Sequence, residues 1–178
     1  MTDQELRDLV ANLAVQHAGL TESQKETDRL VKELGRQIGG LGNKFGSFTE
    51  GMAYPAMKKI LIERFGMEGI APEVLKRQNN QTLELDVFAW SNARHEAFVV
   101  EVKSHLREEA LEQLDTILRK FHAFYPEHRD KKVYGILAAV HASEEMEAKV
   151  LQEGFYLARI HDGQFELRVP DGFQPRAF

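Results

Sequence analysis

The stretch that most constrains this chain is Leu83–Lys103, LELDVFAWSNARHEAFVVEVK. Two apolar runs, Leu83–Trp90 and Ala97–Val102, flank the polar segment Ser91-Asn92-Ala93-Arg94-His95. They are rich in β-branched and aromatic residues, so the pattern predicts two strands joined by a short loop. In a strand, alternate side chains share a face. Glu101 and Lys103 then point one way and Val100 and Val102 the other. On the first strand Glu84, Asp86 and Phe88 share one face, and Leu83, Leu85 and Val87 the opposite one. With the loop centred between Ala93 and Arg94, Asp86 falls opposite Glu101, and directly opposed Cβ atoms lie roughly 4.5–5.5 Å apart. Two carboxylates that close repel each other. A cation between them removes the repulsion, and Mg²⁺ prefers carboxylate oxygen. The plainer alternative is an amphipathic hairpin whose polar face is simply solvated.

Asp86, fourteen residues, then Glu101-Val102-Lys103 resembles the core motif of the PD-(D/E)XK phosphodiesterase superfamily, the restriction-endonuclease-like nucleases. Leu85 stands where the proline of the family name would be. The resemblance implies that the Asp and Glu bind Mg²⁺ (or Mn²⁺) and that the Lys positions or activates the attacking water. It implies a catalytic set of Asp86, Glu101, Lys103 and Glu50, and a metal site of Asp86, Glu101, Glu50 and Val102. Glu50 enters because many members carry an acidic residue on the first core helix, with Glu63 as the second choice; a helix-start glutamate favoured by the macrodipole is the other reading of Glu50. Some branches carry a glutamine where Gln113 stands, but with a tyrosine at a spacing that here falls on Ile117, so Gln113 is expected to be an ordinary surface residue.

The order of elements agrees with that family. A helix is expected from about Phe48 to Arg64, then strands at Ile70–Lys76, Leu83–Trp90 and Ala97–Val102. The spacing of Leu106, Ala110, Leu111, Leu114, Ile117, Leu118 and Phe121 predicts a helix that stops before Tyr125-Pro126. VYGILAAV, Val133–Val140, suits a central strand buried on both faces and parallel to the Glu101 strand. Ser143 can cap a helix from Glu144 to Gln152, and Asp162-Gly163 joins two last strands, Phe155–His161 and Gln164–Val169. The fold class is thus α/β, a restriction-endonuclease-like α-β-β-β-α-β core with a mixed sheet.

Ahead of it, apolar residues recur in unbroken heptad phase. One series is Leu6, Leu13, Leu20, Thr27, Leu34, Leu41 and Phe48; the other is Val10, His17, Gln24, Val31, Ile38, Phe45 and Met52. Val or Ile at one seam position with Leu at the other favours a parallel dimer. The expectation is a coiled-coil helical region over residues 1–47 and a nuclease-like domain over 48–178. GGLGNKFG marks the kink or break between them. A helical arm folded back on its own domain is the alternative. This layout resembles a group of prokaryotic proteins with an N-terminal coiled coil.

Other function classes find little support. There is no cysteine, hence no disulfide, thiolate metal site or cysteine nucleophile. No apolar run reaches the length of a membrane span, and the acidic N-terminus is unlike a signal peptide, so a cytoplasmic protein is expected. No HExxH, serine-histidine-acid order or glycine-rich phosphate loop can be read. The histidines are expected to be mostly exposed. The cationic residues, among them Lys76, Arg77, Lys120 and Lys131, are expected to be mainly solvated surface charge. A net charge of −5 gives no global basic field. The resulting expectation is a Mg²⁺-dependent phosphodiesterase hydrolysing nucleic acid, most consistently DNA, that dimerises through its coil. The alternative is an inactive nuclease-like binding or scaffold protein.

Overall fold

The structure, a computed structural model, describes residues 53–162 and 164–178, together with Gly51 and nine helical residues between Gln16 and Leu30. The chain divides into two compact units, Met1–Lys44 and Phe45–Phe178. In the first, the seam residues His17, Leu20, Gln24 and Thr27 are helical and exposed. The remaining heptad positions up to Phe48 and Met52, the glycine-rich break and Glu50 lie outside the described residues.

In the second unit, helix α1 (residues 53–63) leads into a six-stranded mixed sheet. The strands are β1 (Gly69–Gln78), β2 (Gln81–Ser91), β3 (Glu96–His105), β4 (Lys132–His141), β5 (Tyr156–His161) and β6 (Gln164–Leu167), in that spatial order. Helix α2 (Glu108–Phe124) crosses from β3 to β4, and α3 (Glu144–Gln152) from β4 to β5. Accordingly β3, β4 and β5 are parallel, and the outer neighbours pair antiparallel. Among the described residues no helix is long and apolar enough to cross a membrane.

Two core layers clamp the sheet. On one face the α2 stripe of Leu111, Leu114, Leu118 and Phe121 packs on Val99, Leu137 and Leu157. On the other, Ala53, Met57 and Leu61 of α1 pack on Val100, Ile136 and Ala158. A strand buried on both sides must be apolar throughout, which accounts for VYGILAAV in β4. α2 approaches β4 so closely that a Cβ on Gly135 would meet Leu118 and Leu114 side chains at 2.8 and 2.9 Å. Ser143 caps α3 as expected, its Oγ accepting from the Met146 N–H. After β6, Phe178 returns to β4 and exchanges two backbone hydrogen bonds with Val133, of 3.0 and 3.2 Å.

Several expectations are corrected. β1 is ten residues long rather than the seven of Ile70–Lys76, because its pairing with β2 continues to Gln78↔Gln81. Asn79 and Asn80 close that hairpin with φ of 50° and 60°, a conformation that asparagine tolerates. The last strand stops at Leu167 rather than Val169. Lys131 is buried rather than solvated, its ammonium 3.0 Å from Asp130. His128 is half-buried against Phe88 and Trp90, and burial lowers its pKa.

Candidate active site

The Ser91–Glu96 hairpin places the acidic pair. Ser91 pairs with Glu96 across a four-residue turn, and its buried Oγ accepts the Arg94 N–H at 3.2 Å. His95 completes the turn at φ 54°, its Nδ1 2.8 Å from Asp130. The loop is therefore centred between Ala93 and Arg94. The resulting register runs through Val87↔Val100, and the next step along it sets Asp86 against Glu101.

At that step the ladder ends. In place of a β2 carbonyl, the Val102 N–H donates to Asp86 Oδ2 at 2.7 Å. The alternation of β2 also breaks there. Leu83 and Leu85 pack in the α2 layer, whereas Val87 and Ala89 pack in the α1 layer. β1 reverses at the facing position: Ile70 belongs to the α1 layer and Val74 to the α2 layer, with Glu73 between them at φ 49°. The expected common face for Leu83, Leu85 and Val87, opposite Glu84, Asp86 and Phe88, is thus corrected. A left-handed residue rotates the β1–β2 ribbon by one face, and β2 parts from β3 as a fork with Asp86 at its base.

Asp86 lines a cleft of about 180 Å³ with Gly51, Tyr54, Pro72, Glu73, Val87 and Val102. Glu101 comes from the other prong. It keeps the alternation of β3 on the α2 side and is only 1% exposed. Its Oε2 accepts from Lys103 Nζ and from Gln113 Nε2, each at 3.1 Å. Gln113 is thus exposed, as expected, but its amide is held on Glu101 rather than left to solvent. It sits on α2 three residues after Ala110 and four before Ile117, both buried, so helical phase places it at the edge of the packed stripe. That phase is the signal by which the sequence could have found it.

The electrostatics follow from this geometry. Burial, then repulsion from Asp86, pushes the Glu101 carboxyl up to about 7 against the pull of Lys103. Burial also raises Asp86, although the Val102 N–H bond and Lys103 oppose it. Glu84 adds to the negative field on both, and Glu73 to that on Asp86. Asp86 Oδ1 and Glu101 Oε1 accept no hydrogen bond among the described residues. Two desolvated, mutually repelling carboxylates, each with one oxygen lacking a donor, are a donor set that suits a hard divalent cation. Among the described residues no group of three or more His, Asp or Glu is placed to hold a metal ion. Glu63 does not join the pair. It is exposed at the last turn of α1, about 14 Å along the helix from the Tyr54 turn that lines the cleft.

No family model matches the chain, and no curated protein matches it. Among solved structures it is similar to a repair endonuclease from Pyrococcus abyssi, with 19% identity, a TM-score of 0.39, and coverage of 61% of this chain and 47% of that one. It is also similar to an EndoMS–double-stranded DNA complex, with 18% identity, a TM-score of 0.38, and coverage of 62% and 45%. A third, a protein described as of unknown function, shares 19% identity at a TM-score of 0.35 over 58% and 55% of the two chains. The chain spans about half the length of each of these structures.

Proposed function

We propose that this chain is a divalent-cation-dependent phosphodiesterase of the restriction-endonuclease-like, PD-(D/E)XK kind, hydrolysing DNA. The observation that carries the reading is Glu101: a carboxylate buried beside Asp86 at the fork, with Lys103 Nζ 3.1 Å from its Oε2. Asp86 and Glu101 would hold Mg²⁺ or Mn²⁺, with the backbone of Val102. Glu50, the residue before the cleft-lining Gly51, is the candidate for a further carboxylate. The cation's contribution there is Lewis-acid polarisation of a phosphate oxygen.

The chain's own groups have separable tasks. The Val102 N–H fixes the Asp86 carboxylate, and Gln113 fixes that of Glu101. Lys103, partly exposed beside Glu101, can donate to the attacking water or to charge developing on the phosphate, which a pre-positioned ammonium stabilises strongly. The walls of the fork, Leu85, Val87, Val100 and Val102, are buried and apolar, so they strengthen each of these interactions by excluding water. We further propose that the heptad seam joins two copies in parallel, in keeping with the exposure of Leu20 at 68% of its surface, and that the protein works in the cytoplasm.

A catalytically inactive scaffold is the second reading. It draws on the fact that Glu101 already has two donors, and on the absence of a third acidic ligand among the described residues. A cleavage assay on single- and double-stranded DNA and RNA, with Mg²⁺ or Mn²⁺, separates the two. The nuclease reading expects metal-dependent cleavage that Lys103→Ala abolishes in a protein that still unfolds cooperatively. Failure to cut any form with either metal leaves the scaffold.

A further inference from the structure

The β1–β2 hairpin outruns the sheet. β2 last pairs with β3 at Val87↔Val100, yet it stays paired with β1 from Val74↔Leu85 to Gln78↔Gln81. Beyond the fork those five pairs form a two-stranded ribbon roughly 13–15 Å long. One side of it is anchored. Val74, Leu83 and Leu85 enter the α2 core layer, and Lys76 lies 4.3 Å from the Tyr125 ring centre and 2.9 Å from Glu127. The other side is open, with Leu75 half exposed. At the tip Arg77, Gln78, Asn79, Asn80 and Gln81 are all exposed, and none makes a side-chain hydrogen bond or ion pair among the described residues.

The turn itself accounts for Asn79 and Asn80, since each holds a left-handed φ. It does not account for Arg77, Gln78 and Gln81, whose places in the ladder use only their backbones. Most polar tips are merely solvated. This one stands on a ribbon braced against a helix, its Gln81 five residues along β2 from Asp86. Lys120 of α2 lines a shallow groove with Thr82 and Leu83, a second cation set there among Glu84, Glu109 and Glu112.

Resting on the nuclease reading above, we infer that this ribbon enters the major groove of double-stranded DNA tip first, with Gln78 and Gln81 from one face of the ladder and Arg77 from the other reaching base edges, and Lys120 at the backbone. The B-form major groove, about 12 Å wide, admits a two-stranded β-ribbon, and its edges suit these groups: Arg to guanine O6 and N7, an amide to adenine N6 and N7. The deep, narrow major groove of duplex RNA does not admit side chains. The ribbon would thereby set the duplex in register with the fork at Asp86.

The test uses full-length protein carrying Lys103→Ala, so that nothing is cut, and follows fluorescence anisotropy with duplex DNA, single-stranded DNA and duplex RNA of equal length. Adding Arg77→Ser, Gln78→Ser and Gln81→Ser should weaken duplex DNA binding by about tenfold or more, the scale of one bidentate base contact. Single-strand binding, the melting temperature and Mn²⁺ affinity should stay unchanged. Binding-site selection from randomised duplexes should show a base preference in the parent that the triple variant loses, whereas Lys120→Ala should lower the salt slope by about one without altering preference. Duplex affinity within about twofold of the parent would overturn the ribbon's role and leave the nuclease reading standing. A parent that binds none of the three nucleic acids would overturn both.

Discussion

Glu101 is the residue on which the proposed chemistry turns. Its ordinary carboxyl pKa of 4.5 is raised to about 7 by burial and by Asp86. Between those values the native state holds a proton that the unfolded chain has lost. Unfolding free energy therefore falls as pH rises through this window. The contribution present below pH 4.5 and lost above about 7 is on the order of 3 kcal/mol for a shift from 4.5 to about 7. Chemical denaturation from pH 4.5 to 8 should show this slope, and Glu101→Gln should flatten it and leave the metal-free protein more stable at pH 8. A second expectation concerns Gln113. Removing a donor to a buried charge costs about 1.5–3 kcal/mol. Gln113→Ala should therefore displace the acid limb of the cleavage pH profile upward, lower turnover by about tenfold or more, and lower the melting temperature by several degrees where Glu101 is ionised. The placing of Asp86 opposite Glu101, with Lys103 beside it, was legible from spacing and charge on two strand-like runs. Gln113 was missed because a polar residue beside a buried stripe reads the same whether it meets solvent or a neighbouring strand.

At the scale of elements, composition and periodicity were enough for the order of strands and helices, because each core-facing surface leaves its own period in the sequence. The fork was not legible. Strict alternation is a property of a regular strand, and it assigned Leu85 and Val87 to one face. The reversal depends on the left-handed φ of Glu73, and no glycine or asparagine there announces it. The true length of β1 was hidden for a related reason: Arg77 and Gln78 carry no strand signal of their own and are held in the ladder by their partners in β2. The close seat of α2 on the sheet gives a prediction at this scale. Gly135→Ala would push a methyl into Leu118 and Leu114, so it should destabilise the domain by about 1–3 kcal/mol, the cost of overpacking. Urea denaturation would measure it.

For the whole molecule, the unit from Phe45 onward encloses both core layers and the fork, while the heptad positions from Leu6 to Leu41 fall in the unit before it. Apolar area withdrawn from water on pairing is worth about 25 cal/mol per Å². Two chains meeting along the seam should therefore form a dimer by light scattering at micromolar concentration, and a shortened chain beginning at Leu41 should be monomeric. Equal dimer masses for both would move the interface onto the sheet domain. Whether Asp86 and Glu101 make one cation site is tested most directly by the melting temperature in the presence of Mn²⁺. A ligand that binds only the native state raises stability by RT ln(1 + [L]/Kd). The native chain should melt progressively higher as Mn²⁺ rises through the millimolar range. Asp86→Asn, which keeps an acceptor for the Val102 N–H, should show no such rise. An equal rise in both proteins, or none in either, would contradict the account.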